Sequence, residues 1–461
     1  MRTLHLTNSW HETSGGIATF YRALMGEANR REQVIRLVVP GESDRVEECG
    51  KFGRIYHLHA PRSPLNPAYR TIYPTQFLSS GGKLQQILRA ENPDLIEICD
   101  KYTLNYLGAL LRRGLLPRLS LRPVVIGLSC ERMDDNFRTY LGSLPLAEAF
   151  CSLYMKWLYF PFFDHHIANS EYTAEELRSA AEGQLIPRGT WIRHMGVDLV
   201  HLSPHRRSKA MRARLLENFG AGEDSTLLLY VGRLAPEKNL SLLFDLLARL
   251  SRSRSRDFRL LVVGEGIERE RWERDSARRA PGSALFFGHI KERNVLADLY
   301  ANADLFVHPN PREPFGIALL EAMASGLPLV APNRGGVTSY ASEENAWLAE
   351  ATLDDFSAAI EEALSNSMLR GRKVTAALET ARRHEWTTVA SSFLDLYTAL
   401  MCSARGSLGA YPAPAFTSAP ASGPRTLLKR TVSAAAERAF HLFSSGATDR
   451  KASARAAGGK P

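Results

Sequence analysis

Short apolar runs alternate with segments of helical period along most of the chain. In the first half the runs predict strands at Thr3–Asn8, Val34–Pro40, Arg54–His59, Asp94–Asp100, Val124–Ser129, His165–Ser170 and Thr190–Met195. In the second half they predict strands at Thr226–Val231, Phe258–Gly264, Ala284–Gly288, Asp304–Pro309 and Leu327–Ala331. The runs are continuously apolar rather than alternating, which is the pattern of parallel sheets covered by helices on both faces. The rhythm breaks at 196–224, where a polar, Gly-containing stretch fits a linker. The pattern predicts an α/β chain of two tandem, Rossmann-like, doubly wound domains facing a central cleft. Residues 1–200 form the first domain and 201–383 the second. A helix over 384–402 follows, then a tail over 403–461 with no core-forming pattern, read as mostly disordered.

Composition narrows the class. At 461 residues with 44% hydrophobic and 23% charged positions, the chain reads as soluble and globular, with roughly two to three domains. It contains no run of about 18 apolar residues. Its start, MRTLHLTNSW, has no apolar signal core, so a cytoplasmic placement is expected. Cys49, Cys99, Cys130, Cys151 and Cys402 are scattered and form no C-x-x-C pair, arguing against a disulfide framework or structural zinc site. The formal charge is +9, and residues 403–461 hold nine Arg or Lys against Glu437 and Asp449, so +7 of it lies in the tail. The body is therefore not a basic nucleic-acid binder. Within the tail, Arg425–Phe443 places Leu428, Val432, Ala436, Ala439 and Phe443 on one helical face. That stretch suggests contact with an anionic membrane surface; a solubilising tail is the alternative.

In doubly wound sheets ligands bind outside the carboxyl ends of strands, so the residues just after strands carry the chemistry. After the strand ending at Pro309 comes a loop with Glu313, then a helix opening near Phe315 and Gly316. The amides of Phe315, Gly316 and Ile317 at that helix start form an anion site suited to a diphosphate. Glu321 is placed to accept hydrogen bonds from a vicinal diol such as a ribose. A solvated helix face is the plainer reading of both glutamates, but Glu321 sits among Ala318, Leu319, Leu320, Ala322 and Met323. In YVGRLAPEKNL, Gly232 ends a strand and Arg233 and Lys238 straddle a turn. They could hold a diphosphate leaving group, or be surface charges at a helix start. Gly264 and Gly266 form a loop able to line a nucleotide; the third Gly of G-x-G-x-x-G is replaced by Arg269. Gly15 and Gly16 open the first helix, either near a phosphate or as a tight turn. The chain has neither D-x-D nor G-x-x-x-x-G-K-[ST], so no metal ion or other cofactor is expected and the chain is no P-loop NTPase. His165 and His166 read as structural.

Together these segments resemble the family 4 (group 1) retaining glycosyltransferases of GT-B architecture, over about residues 3–400. The E-x7-E pattern of Glu313 and Glu321 carries most of the resemblance, with GRLAPEKN, GGIATF, ANSEYT and HMGVDLVHLSP in order. The resemblance implies that Arg233 and Lys238 bind the donor diphosphate, Glu313 the sugar hydroxyls and Glu321 the ribose. It implies that Phe315, Gly316 and Ile317 supply amides and that Gly16 lines the phosphate region. EICDKYTL and GLSCERMDD resemble the acceptor-side loops of bacterial GDP-mannose-dependent α-mannosyltransferases, the second of which usually reads S-H-E-R; Cys130 stands in place of that His, beside Glu131. The implied activity is metal-independent, retaining transfer of a hexose, mannose or glucose, from a GDP- or UDP-sugar. The implied acceptor is a glycan or lipid-linked molecule in cell-envelope or polysaccharide synthesis, at the inner face of the plasma membrane if the tail attaches there. A sugar-nucleotide epimerase of similar architecture and a non-catalytic nucleotide-sugar binder are the competing readings.

Overall fold

A computed structural model describes residues 1–407 except 12–14, 64–68, 80, 117–118, 120–121, 142–144, 185–188 and 253–255. The expected tail stretch 425–443 lies outside the described residues. The chain divides into two compact units. The first holds Met1–Ala168, Thr173–Arg193 and the chain from Ala390 on; the second holds Asn169–Tyr172 and His194–Val389.

The described residues of the first unit contain eight strands: β1 Arg2–Thr7, β2 Val34–Gly41, β3 Arg45–Cys49, β4 Gly53–His59, β5 Leu95–Cys99, β6 Val124–Ser129, β7 His165–Ala168 and β8 Gly189–Ile192. They form one sheet in the order β3-β4-β2-β1-β5-β6-β7-β8. Every pairing is parallel except β3 with β4. The central strands are apolar on both faces because helices cover both: β5 and β6 are buried throughout. The strand β3 (RVEEC) was not predicted. It is a polar, largely exposed edge strand, so it lacks the apolar signal of the rest.

The second unit contains β9 Thr226–Val231, β10 Phe258–Val263, β11 Ala284–Gly288, β12 Leu305–Val307, β13 Leu329–Pro332 and β14 Trp347–Ala349. They form an all-parallel sheet in the order β11-β10-β9-β12-β13-β14. Three-residue β14 is too short to stand out in sequence. The helix Leu240–Arg252 shows why such segments fold here: Leu243, Phe244, Leu246, Leu247 and Leu250 share a buried face against the sheet.

Both sheets reverse strand order at one place, between β1 and β5 and between β9 and β12. At such a switch point the loops after the two strands diverge and leave a crevice at the strands' carboxyl ends. The final helix runs from Trp386 to Ser407, five residues beyond the predicted end, and its residues from Ala390 belong to the first unit. There Phe393 packs on Phe20, and the Tyr397 hydroxyl donates to Glu97.

Candidate functional site

In the second unit the switch point brings together loops far apart in sequence. After β9 the chain passes Gly232 and Arg233 and makes a short turn over Pro236–Lys238 before the helix Leu240–Arg252. Asn239, with a left-handed φ of 53°, donates from Nδ2 to the Pro309 carbonyl at 3.1 Å and ties this loop to the one after β12. Lys238 Nζ then lies 2.7 Å from Glu313 Oε2, both side chains being nearly buried. Asn310 Nδ2 donates to the same oxygen at 3.2 Å. His308 Nε2 comes within 3.2 Å of it without completing a hydrogen bond. Burial pushes the Glu313 carboxyl up. The charge of Lys238, aided by the neighbouring His308 ring, outweighs this and holds it well below the usual carboxylate range.

Glu313 leads into the helix Ile317–Ala324. Its N-cap, Gly316, has φ 89°, and a Cβ there would sit 2.8 Å from Leu319 Cδ1. The turn is fixed from two sides. The Tyr340 hydroxyl lies 2.7 Å from the Gly316 carbonyl and 3.0 Å from that of Phe315. The Gly336 amide donates to the Glu313 carbonyl at 2.7 Å, an approach that only glycine allows, since a Cβ on Gly336 would lie 1.8 Å from the Pro314 oxygen. A concavity opens here, lined by Gly232, Lys238, His308, Glu313, Gly316 and Ile317. It combines a cation, a carboxylate and the amide-bearing start of a helix, the groups that suit an anionic, hydroxyl-rich ligand.

Glu321 lies one turn further along this helix and accepts from the Tyr300 hydroxyl at 2.7 Å. Burial pushes its carboxyl up to about 7, the Tyr300 hydrogen bond opposing only in part. It is neither a solvated surface glutamate nor an ion-paired one. Arg233 is half exposed and pairs with Glu237 at 2.7 Å, whereas Lys238 is nearly buried. Gly264 and Gly266 have a packing reason to be glycine. Cβ atoms there would lie 1.9 Å from the Gly232 oxygen and 2.1 Å from the Leu234 oxygen. They press their loop against the Arg233 loop, which is tied to it by the Leu234 amide on the Glu265 carbonyl at 2.9 Å.

The remaining predicted residues lie in the first unit, at the ends of β1 and β6. Gly15 caps the helix Gly16–Arg30, and among the described residues nothing beyond its own helix and chain neighbours crowds the place of a Cβ on Gly15. Cys130 and Glu131 follow β6. Burial pushes the Glu131 carboxyl up, Lys101 and the 2.9 Å hydrogen bond from Asn136 opposing. The backbone here is held by a buried pair: Lys101 Nζ lies 2.5 Å from both Glu176 Oε2 and the Glu131 carbonyl, and Glu176 Oε1 accepts the Met133 amide at 2.7 Å. His166, in β7, is buried against Phe160 and bonds its carbonyl at 3.0 Å, in line with a structural role. Sequence reading missed His308, Asn310, Tyr300, Tyr340 and the Lys101–Glu176 pair. Only His308 and Asn310 carried a local signal, as polar residues between a buried strand and Glu313.

The profile for glycosyltransferase family 4 matches residues 14–203 and that for glycosyl transferases group 1 matches residues 211–380. A GDP-mannose-dependent alpha-(1-6)-phosphatidylinositol dimannoside mannosyltransferase from Mycobacterium tuberculosis is 27% identical, over 88% of this chain and 98% of its own length. A GDP-mannose-dependent alpha-mannosyltransferase from the same species is 28% identical, over 78% of this chain and 85% of its own. The sucrose-phosphate synthase structure from Thermosynechococcus elongatus superposes with a TM-score of 0.68 at 19% identity, over 87% of this chain and 100% of its own. The fold is the two-domain GT-B fold, and the chain belongs to the group 1, family 4 glycosyltransferases.

Proposed function

We propose that this glycosyltransferase moves mannose from GDP-mannose to a glycan or lipid-linked acceptor, with retention of the α-configuration and without a metal ion. The observation that carries the reading is the nearly buried Lys238–Glu313 pair beside the start of the helix Ile317–Ala324. Lys238, the helix-start amides and Arg233 neutralise the departing diphosphate. Glu313 takes the sugar hydroxyls and Glu321 the ribose diol. Preorganised donors of this kind are each worth on the order of 10²–10³ in rate. Neither glutamate is assigned as a nucleophile, so the diphosphate itself takes the acceptor proton in a same-face substitution. The choice of GDP-mannose follows the named activities of the two mycobacterial relatives. The epimerase and non-catalytic readings find no support among these relatives.

On the acceptor side we assign Glu131 and Cys130, held by the Lys101–Glu176 pair, with Gly15 and Gly16 at the phosphate region. Among the described residues no helix is long and apolar enough to cross a membrane. A lipid-linked acceptor is reached through the basic stretch 425–443 resting on an anionic surface. The test is product analysis: labelled GDP-mannose is incubated with phosphoinositide glycolipids and mannan oligosaccharides, and the new linkage is read by NMR. An α-mannoside supports the reading, and a β-product or a free epimerised sugar nucleotide overturns it. Vesicle pelleting of the full chain against one ending at Ser407 tests the membrane contact, which equal pelleting excludes.

A further inference from the structure

His308 sits with Nε2 3.2 Å from Glu313 Oε2, yet neither ring nitrogen completes a hydrogen bond. It follows β12, is 3% exposed, and its amide donates to the Val330 carbonyl at 3.0 Å. Its ring lies parallel to that of Tyr230, 13° between planes. Leaving a buried ring without a hydrogen bond carries a cost. The ring lines the same concavity as Lys238 and Glu313.

The crowding at Glu313 explains the missing bond. Lys238 Nζ at 2.7 Å and Asn310 Nδ2 at 3.2 Å both donate to Oε2, and His308 Nε2 waits 3.2 Å from the same atom. A carboxylate oxygen offers about two lone-pair sites, so the imidazole is a surplus donor. Oε1 has no donor among the described residues. Resting on the proposed reading, in which Lys238 binds the donor diphosphate, we infer that His308 is a positioning residue that replaces Lys238 on Glu313. As the ammonium turns to the diphosphate, the Nε2 hydrogen of His308 takes the vacated site on Oε2. The buried carboxylate stays ionised and oriented, and Oε1 remains open for a sugar hydroxyl. Without that replacement, Lys238 must either stay on Glu313 and give up the diphosphate or leave a buried carboxylate short of a donor.

The experiment compares wild type, His308→Gln and His308→Ala for GDP binding and for GDP release from GDP-mannose, with thermal melting as a check on folding. Gln keeps a side-chain N–H donor; Ala does not. The expected result is GDP affinity weakened roughly tenfold or more in His308→Ala and restored to within about threefold by His308→Gln. In a Lys238→Met background the same His308→Ala change has little further effect, since no ammonium leaves. Equal affinities in all three proteins, or equal loss in Gln and Ala, overturn the inference while wild-type binding keeps the proposed function. Failure of folded wild type to bind GDP overturns both.

Discussion

Lys238 and Glu313 are 75 positions apart and meet at 2.7 Å, both nearly buried. Adjacent strands β9 and β12 end beside each other, with Leu229 paired to Phe306, and release their loops into one crevice. Removing one member of a nearly buried pair costs up to about 3–5 kcal/mol, and without Lys238 the Glu313 carboxylate keeps only the neutral donor Asn310 and the His308 ring beside it. Lys238→Met is therefore expected to lose more stability in urea unfolding than the double variant with Glu313→Gln. A double variant no more stable than Lys238→Met would show that the pair is not coupled.

Glu321 gives a pH-dependent prediction. Its folded value, about 7, stands above the ordinary 4.5. Between those values the unfolded chain releases a proton that the folded chain retains, so stability falls as pH rises through that window. Glu321→Gln removes this loss. The urea midpoint of the variant should gain on wild type from about pH 4.5 to pH 7 and hold a constant lead above it. A lead independent of pH would mean that Glu321 titrates normally.

In the first unit, Glu97 is fully buried and accepts from Tyr21 at 3.1 Å, His5 at 3.0 Å and Tyr397. Tyr397 belongs to the final helix, so this carboxylate holds that helix on β1 and β5. Tyr397→Phe is expected to cost about 1–3 kcal/mol and to speed amide exchange across 390–407 before the rest of the unit. Unchanged exchange in that segment would assign the docking to Phe393 and its apolar neighbours instead.

Continuously apolar strands, and a helix opened by a glycine after a strand, show in sequence because a chain buried on both faces has no other composition to use. The twelve predicted strands all exist, within a few residues. A polar edge strand such as β3 escapes, since nothing buries it. At the site, Glu313, Glu321, Lys238 and Arg233 were legible as residue types after strands, but their differences were not. The half exposure of Arg233, the ion pair of Glu313 and the raised carboxyl of Glu321 arise from packing at the switch point. Gly264 and Gly266 resembled a phosphate loop in sequence; the backbone contacts with Gly232 and Leu234 show a packing reason for both. His308 showed in sequence only as a polar residue after a buried strand, because its meaning lies in the donors already crowding one oxygen.

The proposed activity is sugar transfer from GDP-mannose, driven by Lys238 without a metal. Its most direct test is nucleoside diphosphate release from GDP-mannose, UDP-glucose, UDP-galactose and UDP-N-acetylglucosamine, in EDTA, for wild type and Lys238→Ala. GDP release from GDP-mannose alone, indifferent to EDTA and reduced on the order of 10²-fold or more in the variant, is the predicted result. Turnover that stops in EDTA, survives in Lys238→Ala, or occurs only with a UDP-sugar would contradict it.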